Sequence, residues 1–444
     1  MSAVVLGGGL AGRMAAHALA DRGVAVTLVD GGPGATALCG GSLDVAAASP
    51  GISWLPWRDP LRGRPLTPRE RLRLLLAEAP AHPYSVLWGD DEKAAGHELE
   101  AAIADLRTRL AASGLGLHGS LDVSQVVPNL PGTVRVADHV LTGPAGADVG
   151  DSQEMVWVDV PGLEAWDPAF AARTLAHELE ALGLDVPTLR VLRRDWPEML
   201  REPRVARLAA RLDAPAEQDA LAAFLQGQGA PGRVLLLPPI LGLEKSADLI
   251  ERLSEAAGGP VAEVLGHAPH ATAGFRLQRA LEAAGGGLAI RRARVSAVHR
   301  GPDGVQVALA DGTRIDAEVL LLATGRFVAR GLDAAGNIRE PLLGLPLFDA
   351  DHRRIDGIPA HRSVRKGYGN PQPLYSAGVR VDGSMRPLAA RGDLVDPRVF
   401  CAGDIVGGFD PARERTGLGV ALATARRAAS AIAEQLQAGE GAAA

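Results

Sequence analysis

The first thirty residues constrain this chain more than any other segment. Ser2-Ala3-Val4-Val5-Leu6 is a short apolar run ending in Gly7-Gly8-Gly9-Leu10-Ala11-Gly12. Met14 to Arg22 then reads as a helix of small residues, and Val24-Ala25-Val26-Thr27-Leu28-Val29 is a second apolar run closed by Asp30. Strand, glycine turn, helix and strand within ~30 residues form a β-α-β unit, which requires a parallel sheet. The spacing Gly7-x-Gly9-x-x-Gly12, with the backbone of Leu10 and Ala11 between, lets a diphosphate approach amide N–H groups at a helix start. There the helix dipole also favours negative charge, and a β-carbon would obstruct the approach. Asp30, placed at the end of the second strand, can accept hydrogen bonds from ribose hydroxyls. The competing reading is a glycine turn that merely joins strand to helix.

Two later strand ends also carry glycines. Val319-Leu320-Leu321-Leu322 reads as a strand covered on both faces and stops at Ala323-Thr324-Gly325. Val399-Phe400-Cys401-Ala402 runs into Gly403-Asp404, then Gly417-Leu418-Gly419, a helix from about Val420 to Gln437, and a frayed tail, Ala438 to Ala444. The N-terminal fingerprint alone does not separate FAD from NAD. The two later ends, however, resemble the second and third signatures of FAD-dependent oxidoreductases of the fumarate reductase and glycerol-3-phosphate dehydrogenase kind. That resemblance implies that Asp404 bonds the ribityl chain and that Gly417 and Gly419 let the last helix approach the flavin pyrimidine edge. A helix N-terminus there stabilises the negative charge of a reduced flavin. Cys39-Gly40-Gly41-Ser42 follows at the distance of a loop along the ring: Gly40 and Gly41 for backbone contact, Ser42 as a donor. No His, Lys or Arg in that segment lowers the Cys39 pKa, so Cys39 reads as a packed thiol and Cys401 as core. Val295, in the strand from Arg294 to His299, completes the expected cofactor contacts.

At 444 residues the chain exceeds one typical domain. Its net charge of −6 offers no field for a polyanion, so no nucleic-acid partner is expected. Two cysteines cannot build a four-thiolate metal or iron–sulfur site, and no metal site is expected. No apolar run reaches the ~20 residues of a membrane span, and no basic leader precedes the first strand, so the expected compartment is cytoplasmic, with any membrane contact peripheral.

The pattern predicts an α/β protein with a discontinuous Rossmann-type FAD-binding domain and an inserted helix-rich second domain. The expected segments are 1–55 (cofactor domain), 56–258 (insertion, helices broken by prolines), 259–335 (cofactor domain), 336–390 (loop-rich cleft) and 391–438 (cofactor domain). Pro302-Asp303-Gly304 and Asp311-Gly312 are turn signals between strands.

Four segments carry a closer resemblance: Gly41-Ser42-Leu43-Asp44, Ala79-Pro80-Ala81-His82-Pro83-Tyr84-Ser85, Ile338-Arg339-Glu340-Pro341-Leu342-Leu343-Gly344-Leu345 and Gly407-Gly408-Phe409-Asp410-Pro411. Together they resemble the B-subunit family of anaerobic glycerol-3-phosphate dehydrogenases, nearly full length. The resemblance implies a flavin subunit that takes part in oxidising glycerol 3-phosphate to dihydroxyacetone phosphate. It further implies a companion flavoprotein subunit and an iron–sulfur membrane subunit leading to quinone. The family is credited with FMN, whereas the fingerprint is built for the diphosphate of FAD; FAD is the expectation and FMN the alternative. A secondary alcohol needs a base and a phosphoryl group needs cationic donors. The candidates are His270 (base or loop histidine), Arg276 (phosphate clamp or salt bridge), Arg339 (cleft or structural) and His82 (base or turn anchor), with Arg413, Arg415 and Thr416 as possible anion contacts. The rival functions are a stand-alone fumarate-reductase-like or 2-hydroxy-acid oxidoreductase, and a non-catalytic electron-relay or scaffold subunit.

Overall fold

The computed structural model describes residues 1–443 except 49, 60–62, 302–303 and 368–369. Five parallel strands form one sheet in the order Ala289–Arg292, Ala25–Asp30, Ser2–Leu6, Val319–Leu322, Val399–Cys401. The first strand of the chain is therefore central. Leu6 pairs with Val29 on one side and Leu322 on the other, and Leu322 pairs with Cys401. That common register makes Gly7, Ala323 and Ala402 leave the sheet side by side at its C-terminal edge, where open α/β sheets hold ligands. Val319 to Leu322 are at most 1% exposed, as a strand covered on both faces must be. Helices Leu10–Ala20 and Gly417–Ala443 pack on each other and on this sheet. Alanines such as Ala15, Ala16, Ala425 and Ala428 bury fully between them and permit the close approach. An antiparallel meander, Val295–Gly301, Gly304–Leu309 and Arg314–Ala317, lies beside the sheet. In the first expected turn, Pro302 and Asp303 lie outside the described residues; in the second, Gly312 takes φ +88°.

The insertion differs from the expectation. It is not purely helix-rich but holds its own four-stranded parallel sheet, in the order Val261–Glu263, Arg233–Leu237, Glu154–Val158, Thr188–Leu192. Its hydrophobic core runs from Val126 to Leu265. The helices Pro68–Glu78, Pro83–Trp88 and Glu92–Ala111 instead bury Leu72, Leu75, Leu99, Ile103 and Leu106 in the core of the cofactor sheet. By packing, the second body thus begins near 125 and ends near 265, rather than spanning 56–258. Where helix signals were strong the elements form as expected. Thr67 and Glu70 make a reciprocal capping box ahead of Pro68–Glu78. Asp167 caps Pro168–Leu182, which ends at Gly183 in the left-handed region.

In residues 336–390 the short strands Leu347–Phe348 and Gly378–Val379 pair, and isolated bridges such as Asn337 with Pro359 and Val381 with Pro387 accompany them. Carboxylates order the rest by accepting backbone amides. Glu340 takes those of Leu342, Leu343 and Leu345, Asp349 those of Asp351 and Arg353, and Asp382 those of Ser384 and Arg386. This satisfies loop backbone that no ladder reaches.

Candidate flavin site

At the edge of the cofactor sheet the backbones approach so closely that side chains are excluded. A β-carbon on Gly7, which has φ +122°, would fall 2.1 Å from the Ala323 carbonyl oxygen. One on Gly12 would fall 1.8 Å from the Gly7 oxygen, and one on Gly403 would fall 2.6 Å from the Ala11 β-carbon. The three tips thus converge on the start of helix Leu10–Ala20, whose N-cap, Gly9, supplies no side-chain cap. Thr324 lies at the second tip, and its buried Oγ1 has no partner. A cradle of backbone, a helix start whose N-cap is a bare glycine and an orphaned hydroxyl suit the diphosphate of FAD. Gly325 takes φ +68° beside Ala329. Thr36 was missed from the sequence: its Oγ1 accepts the Leu10 amide at 3.1 Å, so the loop after Asp30 reaches back over the glycine turn.

Asp30 ends the second strand as expected, but it is already engaged. Oδ2 accepts from Arg13 Nη2 at 2.8 Å, and Oδ1 from the Gly32 amide at 3.0 Å. Val295 lies just beyond Ala293, whose amide donates to the Asp30 carbonyl, so it sits near this end of the site.

In the ring loop, Gly40 is pressed against Gly266, where a β-carbon would lie 2.2 Å from the Gly266 oxygen, and Gly41 packs near Pro144, Leu265 and Ala273. These close approaches serve the insertion, a second reason for glycine beyond the cofactor contact expected. Ser42 pairs with Val140, and its hydroxyl turns to Asp44 at 3.3 Å. Burial pushes the Cys39 thiol up to about 11, and its sulfur contacts the Ser42 carbonyl and the Gly41 amide. It is a thiol, not a thiolate, at neutral pH.

The last helix begins at Gly417, earlier than expected. The amides of Leu418 and Gly419 donate to the Asp44 carbonyl at 3.1 and 3.3 Å. A β-carbon on Gly419 would fall 1.7 Å from the Tyr84 hydroxyl, whereas Gly417 faces open space. Gly419 is therefore explained by packing, and Gly417 alone keeps an open approach to the helix start. Asp404 sits next to Arg326, whose Nε donates to the Asp404 carbonyl at 2.8 Å. Burial raises the Asp404 carboxyl above its ordinary range, with Arg326 opposing. Arg326 also donates to Tyr375 and Val406 carbonyls and lies over the Phe409 ring, fixing the third tip to the second. A charged residue directly after Ala323-Thr324-Gly325 was the sequence signal for it.

The substrate candidates divide. His82 is buried; its Nδ1 accepts the Tyr84 amide at 3.0 Å, which leaves the proton on Nε2, 3.3 Å from Thr416 Oγ1 and 3.6 Å from Glu414. Burial and the Arg326 charge lower His82 to about 3, and burial raises Glu414 to about 7. A neutral histidine and a carboxyl that titrates close to neutral pH thus stand at the foot of the last helix, beside Asp410, whose Oδ2 is buried and unpartnered. The sequence offers Glu414 only as an ion-pair partner. His270 lies in the loop packed on Gly40 and is 3.5 Å from Glu164. Arg276 is a correction: both terminal nitrogens engage buried Glu263 and Nε the Gly242 carbonyl, so it braces the insertion and has no donor aimed at a phosphate. Arg339 is likewise a correction: its side chain is 67% exposed and bonded to Asp333 in a surface hairpin. Arg413 follows Asp410, which caps the short turn Pro411–Glu414, and Arg415 takes φ +52° ahead of Thr416.

The chain belongs to the FAD binding domain family, whose pattern it matches over residues 2–420. It is 29% identical over 450 residues, 98% of each chain, to the B subunit of the anaerobic glycerol-3-phosphate dehydrogenase of Yersinia pseudotuberculosis. It is 25% identical over 459 residues to the protein of that name in Aliivibrio fischeri, covering 98% of this chain and 95% of the relative. Among solved structures, 3-ketosteroid delta1-dehydrogenase from Sterolibacterium denitrificans aligns with a TM-score of 0.40 at 12% identity, over 98% of this chain and 99% of that one. Among the described residues no helix is long and apolar enough to cross a membrane.

Proposed function

We propose that this chain is the flavin subunit of a multi-subunit dehydrogenase that oxidises glycerol 3-phosphate to dihydroxyacetone phosphate and delivers the electrons towards quinone. Its FAD-binding family and the name borne by relatives over nearly the whole chain support the reading. The observation that carries it is the convergence of Gly7, Ala323 and Gly403 on one helix start whose N-cap is the bare glycine Gly9. Bound FAD would supply a two-electron acceptor for the alcohol's hydride. The chain's own part is to seat the diphosphate on the amides from Gly9 to Gly12, to present Asp30 to the ribose and to hold the ring along Cys39 to Ser42. The expected partners are a companion flavoprotein subunit and an iron–sulfur membrane subunit, which would hold this chain at the inner membrane face.

His82 with Glu414 is the proton-handling pair we assign to the cleft, with His270 the second candidate. The test has two parts. The purified chain should show a flavin spectrum and release FAD, identified by mass; release of FMN, or of no flavin, would refute the cofactor assignment. The reconstituted complex should oxidise glycerol 3-phosphate, and loss of that activity without this chain supports a role in turnover. The positions of Arg276 and Arg339 favour one second reading, in which this subunit relays electrons while a companion binds the substrate. Unchanged complex activity after substitution of both His82 and His270 would select it.

A further inference from the structure

The glycine fingerprint ends in a residue that its pattern does not specify. Arg13 follows Gly12 on the first turn of the helix, and side chains on a helix lean towards its N-terminus. Its guanidinium accordingly folds back beneath the turn. Nε donates to the Gly8 carbonyl at 2.8 Å and Nη2 to Asp30 Oδ2 at 2.8 Å. The pair is buried, with side chains 1% and 6% exposed. On the opposite side, a β-carbon on Gly8 would fall 2.1 Å from Asp30 Cγ, so the carboxylate rests directly on the bare α-carbon of the turn. The Gly32 amide holds its other oxygen. Arg13, Gly8 and Gly32 thus fix one orientation of Asp30.

We infer that Arg13 is the positioning residue for recognition of the adenosine half of the cofactor, and hence sets the preference for FAD over FMN. Two physical effects combine. A carboxylate has room for about four hydrogen bonds, and Asp30 accepts one on each oxygen, so acceptor capacity for ribose hydroxyls remains on a group whose direction is set. An unpaired carboxylate beside a diphosphate would also repel it; Arg13 balances that charge. FMN lacks the adenosine ribose for Asp30 to hold, so it gains nothing from the orientation.

This inference rests on the FAD reading above, and the experiment separates the two. Flavin-depleted full-length chain is titrated with FAD and, separately, with FMN, following flavin fluorescence. Lysine at position 13 replaces the fork, whose Nε and Nη2 reach Gly8 and Asp30 separately, with a single nitrogen. R13K is therefore expected to lose about tenfold in FAD affinity, the order of one charge-assisted hydrogen bond, while FMN affinity stays unchanged. D30N is expected to show the same selective loss, and R13K/D30N no more than the larger single effect, because Arg13 acts through Asp30. A structural role alone would weaken both flavins alike; equal losses for FAD and FMN, or fully additive losses in the double variant, would overturn the assignment. Wild-type chain that bound FAD no better than FMN would instead overturn the cofactor reading on which it stands.

Discussion

Glu414→Gln tests whether the foot of the last helix holds a proton. In the fold this carboxyl sits at about 7, against 4.5 in an unfolded chain, and burial is the main cause. Between those two values the folded protein binds a proton that the unfolded chain has released, so stability falls as pH rises from 4.5 to 7. Ionising the group in place costs about 3 kcal/mol at pH 8, with the cost fully absent only below pH 4.5. Glutamine keeps the shape and cannot ionise, so the variant escapes that cost. The difference in urea-unfolding free energy between E414Q and wild type should therefore shift in favour of the variant by about 3 kcal/mol from pH 4.5 to pH 8. His82 works in the opposite direction. Its folded value of about 3 lies below the unfolded 6.5, so its contribution is lost as pH falls from 6.5 to 3, with the same sign in both proteins. A variant-minus-wild-type difference that is flat across that range would refute the assignment of a neutral Glu414.

Other outcomes follow from single contacts. Gly419→Ala should destabilise the fold by about 1–3 kcal/mol through overlap with the Tyr84 hydroxyl, and Tyr84→Phe in the same chain should recover part of the loss in a thermal melt. Gly417→Ala, by contrast, should leave the melt within about 1 kcal/mol, because its β-carbon meets open space. Arg276→Met should cost about 3–5 kcal/mol, because Glu263 is left buried and unpaired, while Arg339→Ala should change stability by under about 1 kcal/mol; denaturant titration distinguishes them. Cys39, held at about 11, should react slowly with iodoacetamide at pH 8 in the folded chain; modification as fast as that of a free thiol would contradict the raised pKa.

The legible part of the sequence was the part governed by local backbone geometry. Gly7, Gly12 and Gly403 stand where a β-carbon has no room, and such positions show directly in the residue order. The second sheet was less legible because Glu154–Val158 and Thr188–Leu192 are five-residue runs. At that length an apolar strand cannot be told by periodicity from part of a buried helix, and the surrounding alanine-rich helices dominated the pattern. Gly419 shows the opposite limit. It was a correct glycine with an incomplete explanation, since its neighbour Tyr84 lies more than three hundred residues away in the chain. Arg13 was not legible as a site residue because its partners, Gly8 and Asp30, are set by tertiary contacts, whereas Arg326 left only the weak signal of a charge directly after the second glycine tip.

The position of Ser2–Leu6 at the centre of its sheet has a consequence for synthesis on the ribosome. One flank is supplied at once by Ala25–Asp30, but the other waits for Val319–Leu322, and the far edge for Val399–Cys401. Until nearly three-quarters of the chain has emerged, the earliest strand presents an open, aggregation-prone edge to the cytosol or to a chaperone. The body from about 125 to 265, by contrast, has all its strands by then and needs no later segment to complete its sheet.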